Sequence, residues 1–401
     1  MEGKRFIRRI KVQNLLSFDE EGIDLELQPL NVLIGPNGSG KSNLIDVVSI
    51  LRSLRDDFTE PFLMSGAIEW MSKGVTSGDQ QATQNVPIIT VNFPWTGEQA
   101  SIQYTLSFVI ANYRAEIMNE VLLLLRDHQP EERLFVRLQK AAQVKRRLPE
   151  RSAEEYLFIY DQDPDPQKSL FDRTRDELFH PEAARIGNSL AEIRLYTDWS
   201  SGRHAANRQP QSADLRGDFL QENARNLASV LNSLFLDSEL GERVTEHLRG
   251  LYPRITSLHI SPSGSAIQLY VKEERLNEAV PATRMSDGFL RFLSLLTVLL
   301  HPTPPPLVCI EEPELGLHPD MIHKIAELLK DAATRTQLIV TTHSDLLISA
   351  LSDIPEAIVV CEHDGRGTRM QRLEPEKMKD WLERYSLGEV WLKGAIGGTR
   401  W

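Results

Sequence analysis

The stretch Gly35-Pro36-Asn37-Gly38-Ser39-Gly40-Lys41-Ser42 constrains the fold of this chain more than any other. A short apolar run, Asn31 to Ile34, precedes it. Behind it Leu44, Val47, Val48, Leu51 and Leu54 recur at helical spacing and share one face. Strand, glycine loop, helix is the context that a phosphate-binding P-loop requires. Glycines let the backbone curl until several N–H groups point at one anion, and the helix start adds its positive end. In such a loop Lys41 reaches the β- and γ-phosphates and the Ser42 hydroxyl ligates Mg²⁺.

The 401 residues allow two or three domains. No apolar run approaches the ~20 residues that span a bilayer; the longest, Phe289 to Leu300, is broken by Arg291, Ser294 and Thr297. The N-terminus leads straight into a strand-like segment, with no signal peptide expected. Cys309 and Cys361 sit in apolar strand-like runs, as buried thiols of a reducing, cytoplasmic compartment would. A net charge of −12 gives no global attraction for DNA, so any nucleic-acid contact needs a local basic patch.

Alternation predicts half-buried strands over 5–34 and hairpins over 88–110 and 254–272. Residues 56–85 read as loops around a short helix. From 127 to 235 the chain is charged, with Pro130, Pro149, Pro164 and Pro166 as breakers, and reads as a mainly helical inserted subdomain. Within it Lys140, Lys145, Arg146, Arg147 and Arg151 form a basic stretch, read first as a solvated helix face. Arg203, His204 and Arg208 form a looser basic loop. Leu307 to Glu312, closed by two carboxylates, Gln337 to Thr342 and Ala357 to Cys361 are apolar strand runs, with a helix carrying Ile322, Ile325 and Leu329 between the first two. Buried strands separated by helices imply parallel pairing and an α/β core. The division expected is an N-terminal lobe over 1–126, the insertion over 127–235 and a C-terminal lobe over 236–401.

Three further groups carry chemistry. Glu311-Glu312 closes a buried strand, and in an open α/β sheet that end faces the ligand crevice. One acid can hold Mg²⁺ and the other can orient or deprotonate water. His343 follows the next strand and reaches the same crevice. His343, Ser344 and Asp345 cannot form a hydrolase triad, because adjacent residues lack the geometry. Ser286-Asp287-Gly288 opens a long apolar helix, either as a cap or as an anion site.

Together these segments resemble the ABC-type ATPases of the RecF, SMC and overcoming-lysogenization-defect (OLD) group. Gly35 to Ser42 is similar to its Walker A motif, Leu307 to Pro319 to its Walker B and D-loop, Thr341 to Ser344 to its switch histidine, and Met285 to Gly288 to its signature. The resemblance implies an ABC-ATPase head with a mixed core sheet and an antiparallel β-lobe. It implies two ATP molecules sandwiched between two copies. Gly35, Pro36, Asn37, Gly38, Ser39, Gly40, Lys41 and Ser42 would hold each nucleotide, and Ser286 and Gly288 of the other copy would cover it. Glu312 would be the catalytic base, Ser42 and Glu311 the Mg²⁺ side and His343 the γ-phosphate sensor. Glu311 stands where aspartate is usual, Asp287 where glycine is usual and Leu16 where an arginine is common. The Q-loop glutamine stays open between Gln99 and Gln103. The motif set without a Cys-x-x-Cys pair, long arms or room for an appended nuclease implies an ATP-driven head. Its partner would be a separate effector such as a nuclease, in anti-phage defence or genome maintenance. A RecF-like head acting on DNA is the alternative, and a transporter subunit a weaker one.

Overall fold

The computed structural model describes residues 3–65, 70, 86–95, 100–111, 113–139, 141–147, 156–162, 164–199, 202–263 and 265–398. In chain order β1 (Arg9–Gln13), β2 (Ile23–Glu26) and β3 (Leu30–Ile34) lead into α1 (Lys41–Ser53) and α2 (Glu60–Ser65). The strands β4 (Ile88–Pro94), β5 (Ala100–Ala111), β6 (Arg114–Arg126), β7 (Glu132–Leu138), β8 (Ala141–Arg147) and β9 (Tyr156–Gln162) follow. Next come α3 (Leu170–Arg173), α4 (Pro181–Ala191), β10 (Arg194–Tyr196), β11 (Gln211–Ser212), α5 (Leu227–Phe235), α6 (Ser238–Leu251), β12 (Ile255–Ser263), β13 (Ala266–Glu273) and β14 (Val280–Pro281). The last part holds α7 (Asp287–Leu299), β15 (Leu307–Glu311), α8 (Ile322–Ala332), β16 (Gln337–Thr341), α9 (Asp345–Ser349), β17 (Ile358–His363), β18 (Thr368–Arg372), α10 (Pro375–Leu382) and α11 (Leu387–Leu392).

The central sheet has the order β10-β15-β16-β3-β17-β18 and is parallel except for β18. Its inner strands β3 and β16 are buried on both faces, which is why they read as unbroken apolar runs. Successive residues divide between two cores. Leu307, Cys309, Ile339, Val359 and Cys361 pack on the α1 side; Val308, Ile310, Leu338, Val340 and Ile358 pack on the α5–α8 side. Both cysteines are buried free thiols. No helix among the described residues is long and apolar enough to cross a membrane.

The second sheet is antiparallel, in the order β2-β1-β4-β5-β6-β7-β8-β9. The hairpin expected over 88–110 is present, with Val91 opposite Tyr104, as is the one over 254–272, with Leu258 opposite Val271. The short helix expected within 56–85 is α2. The polar run 77–84 lies outside the described residues, as do Lys140 and Arg151.

The expectation of helix fails over 132–162. There β7, β8 and β9 extend the antiparallel sheet, so Lys145, Arg146 and Arg147 lie on a strand, and helices begin only at α3. The physical reason is Arg137. Its charge reads as solvated, yet it is almost fully buried, and its guanidinium donates to the carbonyls of Lys168 (3.0 Å), Pro164 (3.2 Å) and Asp165 (3.0 Å). Pro164 and Pro166 thus lie in a segment docked on the sheet and break no helix.

The same segment is fastened by Glu120 on β6, which is wholly buried. It accepts from the Tyr104 hydroxyl (2.7 Å), the Ser169 hydroxyl (2.5 Å) and the Leu170 N–H (2.9 Å). Burial pushes its carboxyl above the usual range, the hydrogen bonds notwithstanding. Glu120→Ala strands three buried donors, and about 2–4 kcal/mol of stability is expected to be lost. Glu120→Gln keeps one of the two acceptor oxygens but turns an amide N–H toward a buried donor, so it should cost less than the alanine variant, about 1–2 kcal/mol. Chemical denaturation of the three proteins checks the ranking.

Candidate nucleotide-binding site

The glycine loop leaves the carboxyl end of β3 and turns into α1. Gly38 has φ +77° and Gly40 has φ +90°, conformations that side chains rarely adopt. Gly40 is also sterically closed, since a Cβ there would lie 2.2 Å from Thr368 Oγ1 and 2.8 Å from Ser17 Oγ. No side chain caps the start of α1, so its first N–H groups keep their positive end open. Ser39 Oγ is buried in the loop without a partner. Lys41 is buried, with Nζ 2.9 Å from the carbonyls of Gly35 and Pro36. Burial lowers its pKa, while the Cys361, Glu312 and Glu311 side chains pull it back up. An uncapped helix start, an orphaned hydroxyl and a half-desolvated ammonium fit an anionic phosphate chain.

The two carboxylates arrive from β15. Its register places Glu311 opposite Thr341 of β16, and β16 in turn pairs with β3. Three neighbouring parallel strands therefore deliver Glu311, His343 and the glycine loop to one edge. Glu311 accepts a hydrogen bond from Ser42, and burial raises its carboxyl above the usual range. The extra methylene relative to aspartate thus does not keep it from the Ser42 hydroxyl. Hydroxyl and carboxylate are hard oxygen donors of the kind Mg²⁺ takes alongside phosphate oxygens. Glu312 has φ +44°, and its carboxylate lies 3.5 Å from His343 Nε2.

The structure adds residues that the sequence motifs left without a role. Glu314 accepts from the Thr342 hydroxyl (2.6 Å) and the His343 N–H (3.0 Å), fixing the backbone before the histidine. Burial raises its pKa, and its Oε2 is enclosed without a partner. Thr368 of β18 hydrogen-bonds Ser17 Oγ (2.6 Å) and donates to the Ser39 carbonyl (3.1 Å); Asn43 donates to the same Ser17 (2.6 Å). Gly398 packs against Gly35, and its N–H donates to Glu362 (2.6 Å). The contacts of Thr368 with Ser17 and Ser39, and of Gly398 with Gly35, link positions more than 300 residues apart, which no local pattern can signal.

The remaining expected site residues stand apart from the loop. Ser286 caps α7, accepting from the Phe289 N–H at 3.2 Å, and Gly288 packs on the Gly316 carbonyl. Leu16 has φ +55° and donates its N–H to the Trp70 carbonyl. Gln103 lies within β5, and Gln99 lies outside the described residues. Lys145, in the basic stretch, is ion-paired with Glu132.

Known proteins resemble this chain in sequence and in fold. The sequence pattern of the family described as "AAA domain, putative AbiEii toxin, Type IV TA system" matches residues 30–349, and that of a second, described as "AAA domain", matches residues 9–50. The Old nuclease of Escherichia phage P2 is 28% identical over 182 residues, 41% of this chain and 30% of that protein. The chain therefore matches under a third of that curated relative's length. An Smc head bound to the C-winged helix domain of ScpA has a TM-score of 0.51 at 12% identity, over 93% of this chain and 99% of that one. An Smc head with an extended coiled coil, bound to the C-terminal domain of ScpA derived from Pyrococcus furiosus, has a TM-score of 0.50 at 13% identity, over 94% and 98%. At these identities the likeness concerns the fold, and the expected ABC-ATPase head is what it shows.

Gly40→Ala places a methyl group against Thr368 in a backbone conformation unfavourable to it. It should weaken binding of a fluorescent ATP analogue by at least roughly tenfold, a loss of about 1.4 kcal/mol. Thr368→Val, which removes the brace but keeps the shape, should weaken it less. Equal losses in a titration would show that the brace rather than the glycine conformation dominates.

Proposed function

The chain belongs to the family described as "AAA domain, putative AbiEii toxin, Type IV TA system" and is an ATPase of the SMC and OLD-like group; from that premise we propose that it hydrolyses ATP as a dimer of heads and regulates a separate effector protein. The observation that carries the reading is the meeting of Gly35–Ser42, Glu311-Glu312 and His343 at the ends of three adjacent parallel strands.

Each residue then has a task. Gly35 to Ser42 and the start of α1 bind the phosphates through backbone N–H groups, and Lys41 offsets their charge. Ser42 and Glu311 would hold Mg²⁺, which would supply neutralisation of the phosphate charge. Glu312 orients the attacking water and takes its proton. His343, beside Glu312, donates toward the terminal phosphate. Glu314 and Thr342 keep that histidine in place. Ser286 and Gly288 start a helix whose N-terminal N–H groups cover the nucleotide held by a second copy. Residues so divided make hydrolysis depend on the encounter of two chains, which lets a bound effector be switched by nucleotide state.

The effector is proposed as a nuclease or other toxic activity serving anti-phage defence or genome maintenance. The family description and the likeness to part of the P2 Old nuclease support this class of role. The RecF-like reading rests on the basic stretch, and the engagement of Lys145 by Glu132 weakens its main support.

Glu312→Gln should lower ATP turnover by about 10²-fold or more while leaving ATP binding in place, the scale of a general base. Light scattering after size exclusion should find this variant dimeric with ATP and Mg²⁺ and monomeric without. A variant that binds ATP and stays monomeric at micromolar concentration would remove the sandwich.

A further inference from the structure

Two sequence features left unexplained meet in space. One is the loose basic loop containing Arg208; the other is Asp287, which stands where the resembling signature has glycine. Arg208 is only 7% exposed. Its guanidinium pairs with the Asp287 carboxylate and donates to the Met285 carbonyl and, at 3.5 Å, to that of Thr283. Its Nε donates to the Gly202 carbonyl at 3.0 Å. Gly202 in turn gives its N–H to Asp287 Oδ1 at 3.0 Å. One carboxylate oxygen therefore accepts from both ends of the 202–208 loop, and the arginine spans the turn that precedes α7. The hydrogen bond from Arg208 holds the Asp287 carboxyl below the usual range.

This pair differs from an ordinary surface bridge. An exposed bridge contributes little, and a buried arginine is costly unless its donors are satisfied. Here they are met by a carboxylate and backbone carbonyls immediately before and within the signature stretch. The position of the acid explains the need. Asp287 is the first residue of α7, directly after its cap Ser286. A carboxylate in the first turn occupies the positive field that the helix start would otherwise offer a phosphate. Left free, it could swing over the helix N–H groups as an internal anion and repel an incoming one.

We propose that Arg208 is a positioning residue of the dimer interface, drawing the Asp287 carboxylate aside and cancelling its charge so that Ser286 and Gly288 can meet the phosphates bound by a second copy. Arginine and aspartate together then stand in for the small, uncharged residue of the resembling motif. The inference rests on the head-dimer reading above, and it adds a requirement that reading does not contain: the harm done by losing Arg208 comes from the acid left behind. A plain structural staple makes the opposite demand, since either half of a staple is then equally necessary.

The test uses the full chain carrying Glu312→Gln, with ATP and Mg²⁺, and measures the dimer dissociation constant by sedimentation together with binding of a fluorescent ATP analogue. Arg208→Ala should weaken dimerisation by at least roughly tenfold, the scale of an unpaired like charge at an interface. ATP binding by the monomer should stay within about threefold. Adding Asp287→Asn to Arg208→Ala should restore dimerisation to within about threefold of the parent, and Asp287→Asn alone should dimerise at least as tightly as the parent. Loss of dimerisation in Asp287→Asn alone, or no rescue in the double variant, overturns the proposal in favour of a staple. If thermal unfolding shows that Arg208→Ala does not fold, Arg208→Lys takes its place. It keeps the charge and loses the bonds to the loop, so dimerisation within about threefold supports the proposal and a roughly tenfold loss overturns it. If the Glu312→Gln parent binds ATP and stays monomeric, the head-dimer reading fails and this inference falls with it. A dimeric parent that tolerates Arg208→Ala overturns the inference alone.

Discussion

The hydrogen-bonded register of β3, β16 and β15 is the constraint on which the site depends. Leu33 pairs with Thr341, and Thr341 with Glu311, so the end of β3 finishes level with the ends of β15 and β16, which lie hundreds of residues further along the chain. Side chains alternate along a strand, so a slip of one residue in either pairing would turn Glu311 or Thr341 to the opposite face. The register is guarded by burial on both faces: Val32, Val308 and Val340 pack into one core, and Leu33, Cys309 and Ile339 into the other. A site for hard, charged chemistry is thus aligned by apolar side chains that touch no ligand.

The glycine loop shows why part of such a site can be read from sequence and part cannot. Its own geometry is local: Gly38 and Gly40 need positive φ, Lys41 must follow, and a helix must start there. All of that is written in consecutive residues. Its bracing is not. Thr368, Ser17, Asn43 and Gly398 hold the loop from β18, from the turn after β1, from α1 and from beyond α11. Each is a common residue in an unremarkable local context, and only the closed sheet reveals its task. Glu314 is a similar case. It lies beside the two acids that the strand end advertises, yet its bond to the His343 backbone spans 29 residues.

The error over 132–162 has the same origin in a different form. Charge density and prolines read as marks of broken helices, whereas alternation with Phe135 and Val144 is that of strands. Arg137 breaks that alternation by placing a charged group in the core, as Glu120 does on the neighbouring strand β6. Both are bonded to partners between 164 and 170, Glu120 also to Tyr104, that the sequence could not assign. Buried polar networks hide strands from pattern reading, because burial is inferred from apolarity and these residues are buried by their hydrogen bonds instead. The same blindness left Arg208 as a loose basic residue beside an unexplained aspartate.

The last step concerns Glu312, whose φ of +44° is unfavourable for a residue with a Cβ and costs about 1–3 kcal/mol. Its backbone is held at every polar atom. Its N–H donates to the Thr341 carbonyl at 3.0 Å, and its carbonyl accepts from Arg291 Nη2 at 2.7 Å. Arg291 lies over the Trp199 ring, and the indole N–H of Trp199 reaches the Glu311 carbonyl at 3.3 Å. One stacked pair therefore occupies the carbonyls of both acids and leaves their carboxylates to the crevice. Because Arg291 lies one turn beyond Asp287 on α7, its side chain ties the helix start at the proposed interface to the backbone carbonyl of Glu312. The strained backbone of Glu312 is therefore held from two sides, by Thr341 of β16 and by Arg291 of α7, and a displacement of α7 would act on the residue proposed to activate water.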